Sequence, residues 1–132
     1  MSIRNAWKIS GWYMFALGII HNLVGVMITK DALLDMLNAG LVNSVNIPDV
    51  DRNAAFWFIF LGFFLMYIGL VWQGQIKRYR EPLSKFSAWG LTALTLVGAA
   101  IVPISGFWLI MPLCVIMLYP HYSKEKNAAD KC

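Results

Sequence analysis

The stretch Phe86–Tyr119, FSAWGLTALTLVGAAIVPISGFWLIMPLCVIMLY, decides how often the chain crosses an apolar layer. It runs for 34 residues without a charge. A helix of roughly 20 apolar residues already spans a hydrocarbon core about 30 Å thick, so one helix of this length would overshoot. Near its middle stand Pro103, Ser105 and Gly106. Proline disfavours helix at the residue before it, and Pro-Ile-Ser-Gly has turn chemistry, so the run divides into helices over 86–102 and 105–119. At about 1.5 Å per residue each half spans only roughly 22 to 26 Å, and local thinning or interfacial aromatics must cover the mismatch. A re-entrant hairpin is the alternative, and it requires protein or water around its turn.

Working outward, the residues before this stretch supply two more apolar runs. Residues 54–74 carry Trp57 near one end and Trp72 near the other, as aromatic belts at two interfaces would place them. Residues 7–28 contain Lys8 near the start and His21 further in. At 22 residues this first run exceeds the apolar core of a signal peptide and no small-x-small cleavage pattern follows, so it is expected to stay as an anchor. The composition agrees. With 59% hydrophobic and 14% charged residues, the chain lies far from the soluble average of about 25% charged. The expectation is therefore an all-α integral membrane four-helix bundle in one domain of 132 residues.

The connections follow. The outer loop, 29–53, opens on Lys30-Asp31-Ala32-Leu33-Leu34-Asp35-Met36-Leu37, whose apolar spacing predicts a short interfacial helix between helices one and two. Thr29 is its expected cap and Gly40 its expected stop. The rest of the loop reads as irregular, leading through Asp49, Asp51 and Arg52 into helix two. Residues 75–85 form the inner loop and 120–132 the tail. Arg4, Lys8, Lys77, Arg78, Arg80, Lys85, Lys124, Lys126 and Lys131 fall on one side against Lys30 and Arg52 on the other. The positive-inside rule then places both termini in the cytoplasm, an N-in/C-in topology.

The charge excludes less than it first suggests. A net charge of +4 could point to nucleic acid, but the basic residues flank apolar runs and form no single face, so no nucleic-acid partner is expected. Cys114 lies inside an apolar run and Cys132 is the last residue, which supports no disulfide framework. Pro112, inside the expected fourth helix, should kink it by leaving the Trp108 carbonyl without its usual donor.

Helix one carries Gly11, Gly18 and Gly25 at seven-residue spacing, a seam on which another helix can approach closely. Helix two has Gly62 and Gly69, and helix three Gly90 and Gly98. The plain reading is tight packing within the subunit or a homodimer. His21 and Asn22 fall within about 60° of the helix-one glycine line and so face the bundle. His21 is the only titratable imidazole or charge deep within a predicted span, which makes it the leading site candidate. A pocket of His21, Asn22, Trp57, Ser105 and Trp108 in the outer half, beneath a loop carrying Asp49, Asp51 and Arg52, is the expected ligand site. The alternative is a neutral histidine serving as interhelical glue.

Absences weaken sharper chemistry. The second histidine, His121, lies past the fourth helix, so haem held between two histidines of one chain is not expected. No carboxylate falls in a span, against the pattern of proton-coupled exporters. Metal ligation would need Asp49 or Asp51 beside His21, and their spacing is not diagnostic. No metal and no cofactor are expected.

The order of motifs carries a resemblance. His21-Asn22 with Gly25, Arg52-Asn53-Ala54-Ala55-Phe56-Trp57-Phe58 opening helix two, Trp89-Gly90, and Pro103-Ile104-Ser105-Gly106-Phe107-Trp108 together resemble an uncharacterised family of small bacterial four-helix membrane proteins. The resemblance extends from about Trp12 to Leu118. It implies a multi-pass protein of the bacterial cytoplasmic membrane with the same four helices, and no activity.

Three functions compete. The first is noncatalytic binding or passage of a small apolar or amphipathic ligand, or a lipid, around His21, as a buried polar pair beside aromatics suggests. The second is an enzyme on a lipid-soluble substrate with His21 as acid or base, by analogy with four-helix sterol isomerases, whose membrane carboxylates are missing here. The third is a structural or accessory subunit packing through its glycine seams.

Overall fold

The computed structural model describes residues 3–41, 44–45 and 48–129. Val42, Asn43, Asn46 and Ile47 of the outer loop, and Lys131 and Cys132 of the tail, lie outside the described residues. All regular structure among the described residues is helical. A 3₁₀ segment, Ile3–Ile9, leads into α1, Ser10–Ile28, and α2 spans Lys30–Asn38. The long α3, Val50–Tyr79, is followed by α4, Lys85–Ile101, a second 3₁₀ segment, Gly106–Leu109, and α5, Met111–Ala129. Asn5–Ile28, Val50–Tyr79 and Gly106–Ser123 are long and apolar enough to cross a membrane. The apolar α4 is shorter, with 17 residues.

The chain divides into two compact units, one of residues up to Met14 and from Ile68 onward, the other Phe15–Tyr67. In the second unit, glycines on α1 bring it against α3. A Cβ on Gly18 would lie 2.8 Å from both the Gly62 carbonyl oxygen and the Met66 nitrogen, so only a hydrogen fits there. The short helix α2 forms as its apolar spacing predicts, and buries Met36. Thr29 holds the N-cap position but makes no side-chain capping bond. Its hydroxyl instead donates back to the Gly25 carbonyl at 2.8 Å, a bond that competes with capping. Gly40 ends α2 with a φ of +90°, the left-handed conformation glycine adopts without strain. The Leu41 N–H then reaches the Met36 carbonyl and the Gly40 N–H that of Leu37, which satisfies two helix-end acceptors.

In α3 the helix extends beyond the apolar run at both ends, taking in Val50–Asn53 and Gln75–Tyr79. The front extension has a local cause. Asp49 accepts the Arg52 N–H on its carboxylate at 3.1 Å and the Asn53 N–H on its carbonyl at 3.1 Å, which caps the helix before its apolar part begins.

In the first unit, Gln73 joins the start of the chain to α3. Its Oε1 accepts the Trp12 N–H at 3.2 Å and its Nε2 donates to the Lys8 carbonyl at 3.0 Å. Both are backbone groups left over where 3₁₀ turns change to α-helix. Gly11 makes the room, since a Cβ there would lie 2.5 Å from the Gly69 carbonyl oxygen.

The Phe86–Tyr119 stretch breaks at Pro103. Val102, at φ −126° and ψ 80°, has left the helix, as the residue before a proline should. Ser84 starts α4 by accepting the Ser87 N–H at 3.1 Å. The helices α4 and α5 pack as an antiparallel pair: the Phe107 ring covers Gly98, Cys114 Sγ–H points at Thr95 Oγ1 across 3.7 Å, and Lys85 meets Tyr122. Ala88, Thr95 and Ala99 of α4 and Leu113, Cys114 and Met117 of α5 are buried.

Two expectations for this region need correction. Pro112 is the second residue of α5, within the first turn, where a missing N–H costs no intrahelical bond and gives no kink. The proline inside the helix is Pro120. The helix also continues past it to Ala129, through residues expected to be tail, because the polar Ser123–Asn127 stretch has no further breaker.

Candidate functional site

His21 and Asn22 occupy α1 in the second unit, and both engage α3. His21 Nε2–H donates to the Phe58 carbonyl oxygen at 3.1 Å. A carbonyl can only accept, so the proton sits on Nε2 and Nδ1 remains for another partner. The imidazole also stacks on the Phe58 ring, with centroids 4.1 Å apart and planes 7° from parallel. One turn on, Gly25 lets that ring approach, since a Cβ there would lie 2.7 Å from Phe58 Cδ1. Asn22 fills the opposite gap: a Cβ on Gly62 would overlap its amide. Asn22 Oδ1 is buried and has no hydrogen-bond partner among the described residues.

The other expected site residues separate into two groups. Trp57 is 60% exposed and packs edge-on to Phe56 and Phe60, while its neighbour Phe58 is the aromatic that meets His21. In the outer loop Asp49 caps α3 and pairs with Arg52 Nε at 3.0 Å. Arg52 also donates to the Ser44 carbonyl at 3.2 Å, tying the loop to the helix start. Asp51 lies in the first turn of α3, where a negative charge suits the helix dipole. Ser105 and Trp108 belong to the other unit. Trp108 Nε1–H donates to the Pro103 carbonyl at 2.7 Å and holds the α4–α5 turn. The Ser105 hydroxyl is buried and unpartnered among the described residues.

What His21 and Asn22 can do chemically is limited and definite. They offer an imidazole nitrogen, an amide and an aromatic wall within an apolar helix pair. Among the described residues no group of three His, Cys, Asp or Glu side chains could hold a metal ion. Nor does a described carboxylate orient the imidazole, the arrangement a general base ordinarily uses.

Two polar groups with defined roles escape a reading of the residues alone. Gln73 is 6% exposed, and its signal was an uncharged amide at the end of an apolar run, one helical turn after Gly69. His121 donates from Nε2 to the Leu83 carbonyl at 2.9 Å, a contact between residues 38 apart in the chain that no local pattern announces.

The chain is thus an all-helical protein with three helices able to cross a membrane and a polar pair set between glycines of facing helices. It belongs to a family of unknown function (DUF6463), which matches residues 5–124. The resemblance to an uncharacterised family holds in that respect. No curated protein and no solved structure matches the chain.

Proposed function

We propose that the chain is a multi-pass protein of a bacterial cytoplasmic membrane, a four-helix bundle of α1, α3, α4 and α5 with both termini inside. It binds or passes a small amphipathic molecule at His21 and Asn22. Exposed side chains support hydrocarbon surroundings: Ile104 is 99%, Phe86 88% and Met27 79% exposed, in a pattern water would penalise. The distribution of Lys and Arg supports the orientation.

The observation that carries the ligand reading is Asn22. A buried polar atom without a partner is costly in an apolar span, and a ligand with a hydrogen-bonding head would relieve that cost. An apolar tail would lie against Phe58 and neighbouring aliphatic side chains. Native mass spectrometry of protein released from membranes tests this. Wild type should carry a small bound amphiphile that Asn22→Ala and His21→Ala release while keeping helical content. An identical bound population in all three, or none in wild type, would reject the reading.

A second reading, a structural subunit that pairs with its own copy, is favoured by Gly90, where an added Cβ would meet open space. A homogeneous dimer in mild detergent that Gly90→Leu disrupts would support it, and a strict monomer would oppose it.

A further inference from the structure

Four cation–aromatic pairs gather in the unit that holds the chain start and the residues from Ile68 onward. Lys8 lies 5.8 Å from the Trp7 ring centre, Lys77 5.5 Å from Trp12, Arg78 5.6 Å from Tyr79 and Lys85 5.1 Å from Tyr122. Mixed cations and amphipathic rings are the side chains that sit at lipid headgroups. In the same unit, with Trp7 in its lining, opens a cleft of about 380 Å³, within the range of small-ligand sites. Its lining includes Trp7, Arg80, Glu81, Tyr119, Pro120 and Ser123.

The cleft has a held wall. The connection from α3 to α4 is pinned to α5 by the His121 bond to the Leu83 carbonyl, and Leu83 is buried. Ser84 caps α4 directly after it. Arg80, at φ +55°, adopts a left-handed conformation that residues with a Cβ rarely take, fixed by its N–H bond to the Ile76 carbonyl. Glycine would occupy this helix end with less strain, yet an arginine stands there and lines the cleft. Arg80 and Glu81 form no ion pair with each other or with any other residue whose side chain is described.

We propose that this cleft binds the headgroup of a zwitterionic aminophospholipid, phosphatidylethanolamine, with the phosphate on Arg80 and the ammonium on Glu81. The pairing follows from the charges present. A phosphate takes a guanidinium in a two-pronged bond, whereas a purely anionic headgroup would meet Glu81 with repulsion. A primary ammonium has three donors, enough for the Glu81 carboxylate, the Ser123 hydroxyl and the face of Trp7 or Tyr119. The inference rests on the membrane reading above, which puts these residues where acyl chains end and headgroups begin.

The test uses the full chain in mild detergent, titrated with phosphatidylethanolamine or phosphatidylglycerol and read by native mass spectrometry. Wild type should retain phosphatidylethanolamine over phosphatidylglycerol by roughly tenfold, about what one charge-assisted hydrogen bond supplies. Glu81→Gln should erase that preference. Arg80→Gly should lose both lipids while melting no lower than wild type, because it removes the guanidinium and the backbone strain together. Equal retention of the two lipids by wild type, or a preference that neither substitution moves, overturns the inference. So does displacement of the lipid by soluble phosphoethanolamine at matched concentration, which would assign the cleft to a free metabolite. A chain that stays soluble without detergent defeats the membrane reading instead, whereas a detergent-requiring chain with no preference defeats this inference alone.

Discussion

The two histidines of this chain make the same bond in different surroundings. Each donates Nε2–H to a backbone carbonyl of a distant residue, His21 to Phe58 at 3.1 Å and His121 to Leu83 at 2.9 Å. Around His121 the neighbours complete a fastening, in which Leu83 is buried, Ser84 caps α4, and Tyr122 takes Lys85 over its ring. Around His21 the arrangement is incomplete, with Asn22 Oδ1 buried and unpartnered among the described residues and an imidazole nitrogen still available. An imidazole in an apolar helix is therefore not a site by itself. What separates a fastener from a binding group is whether the polar atoms beside it are satisfied.

That contrast can be broken or sharpened by substitution, beginning with the packing that holds the His21 region together. Gly18→Val should lower stability the most, by about 3 kcal/mol, because its side chain meets backbone atoms of α3 that cannot move aside. Thermal unfolding in detergent checks it, and a melting temperature indistinguishable from wild type would mean that α1 and α3 do not pack through that glycine. Gln73→Leu should cost about 1 kcal/mol, since it removes the side-chain partner of the Trp12 N–H and the Lys8 carbonyl in a partly buried place. Hydrogen exchange should rise at the start of α1 and leave α5 unchanged.

The histidines themselves should respond no more strongly, and unequally. His121→Phe should cost about 1 kcal/mol and speed proteolysis of the α3–α4 connection, because its bond to the Leu83 carbonyl ties that connection to α5. His21→Phe should cost only about 0.6 kcal/mol, as interhelical hydrogen bonds in membranes do on average, since stacking on Phe58 is retained. If His21→Phe destabilises more than His121→Phe in thermal unfolding, His21 is the fastener and the contrast is reversed.

Much of this was legible in the residues. Pro103 announced the break between α4 and α5, because a proline constrains its predecessor through local sterics alone. The seven-residue spacing of Gly11, Gly18 and Gly25 announced a face of α1 that another helix could approach. The candidate site was only half legible. His21 and Asn22 could be placed on that face by helical angle, but the aromatic partner could not. Trp57 and Phe58 are adjacent in sequence and about 100° apart on the helix, and either could serve until the register between α1 and α3 is known. Thr29 takes the N-cap position but makes no capping bond, because the Gly25 carbonyl one turn back offered its hydroxyl another bond. Pro112 failed as a kink because the helix started one residue before it, at a place set by the preceding 3₁₀ turns.

By itself the order of residues determined the properties that are local or additive: helical composition, the length of the apolar runs, the break at Pro103, the stop at Gly40 and the imbalance of Lys and Arg. Those depend on neighbours a few positions away, or on sums over a segment. Only the tertiary structure decided that Phe58 receives His21, that Gln73 serves Lys8 and Trp12, and that Arg80 and Glu81 share a cleft with Trp7 and Tyr119. Each of these joins residues far apart in the chain through the register of one helix on another, which several side chains set jointly and no single segment encodes.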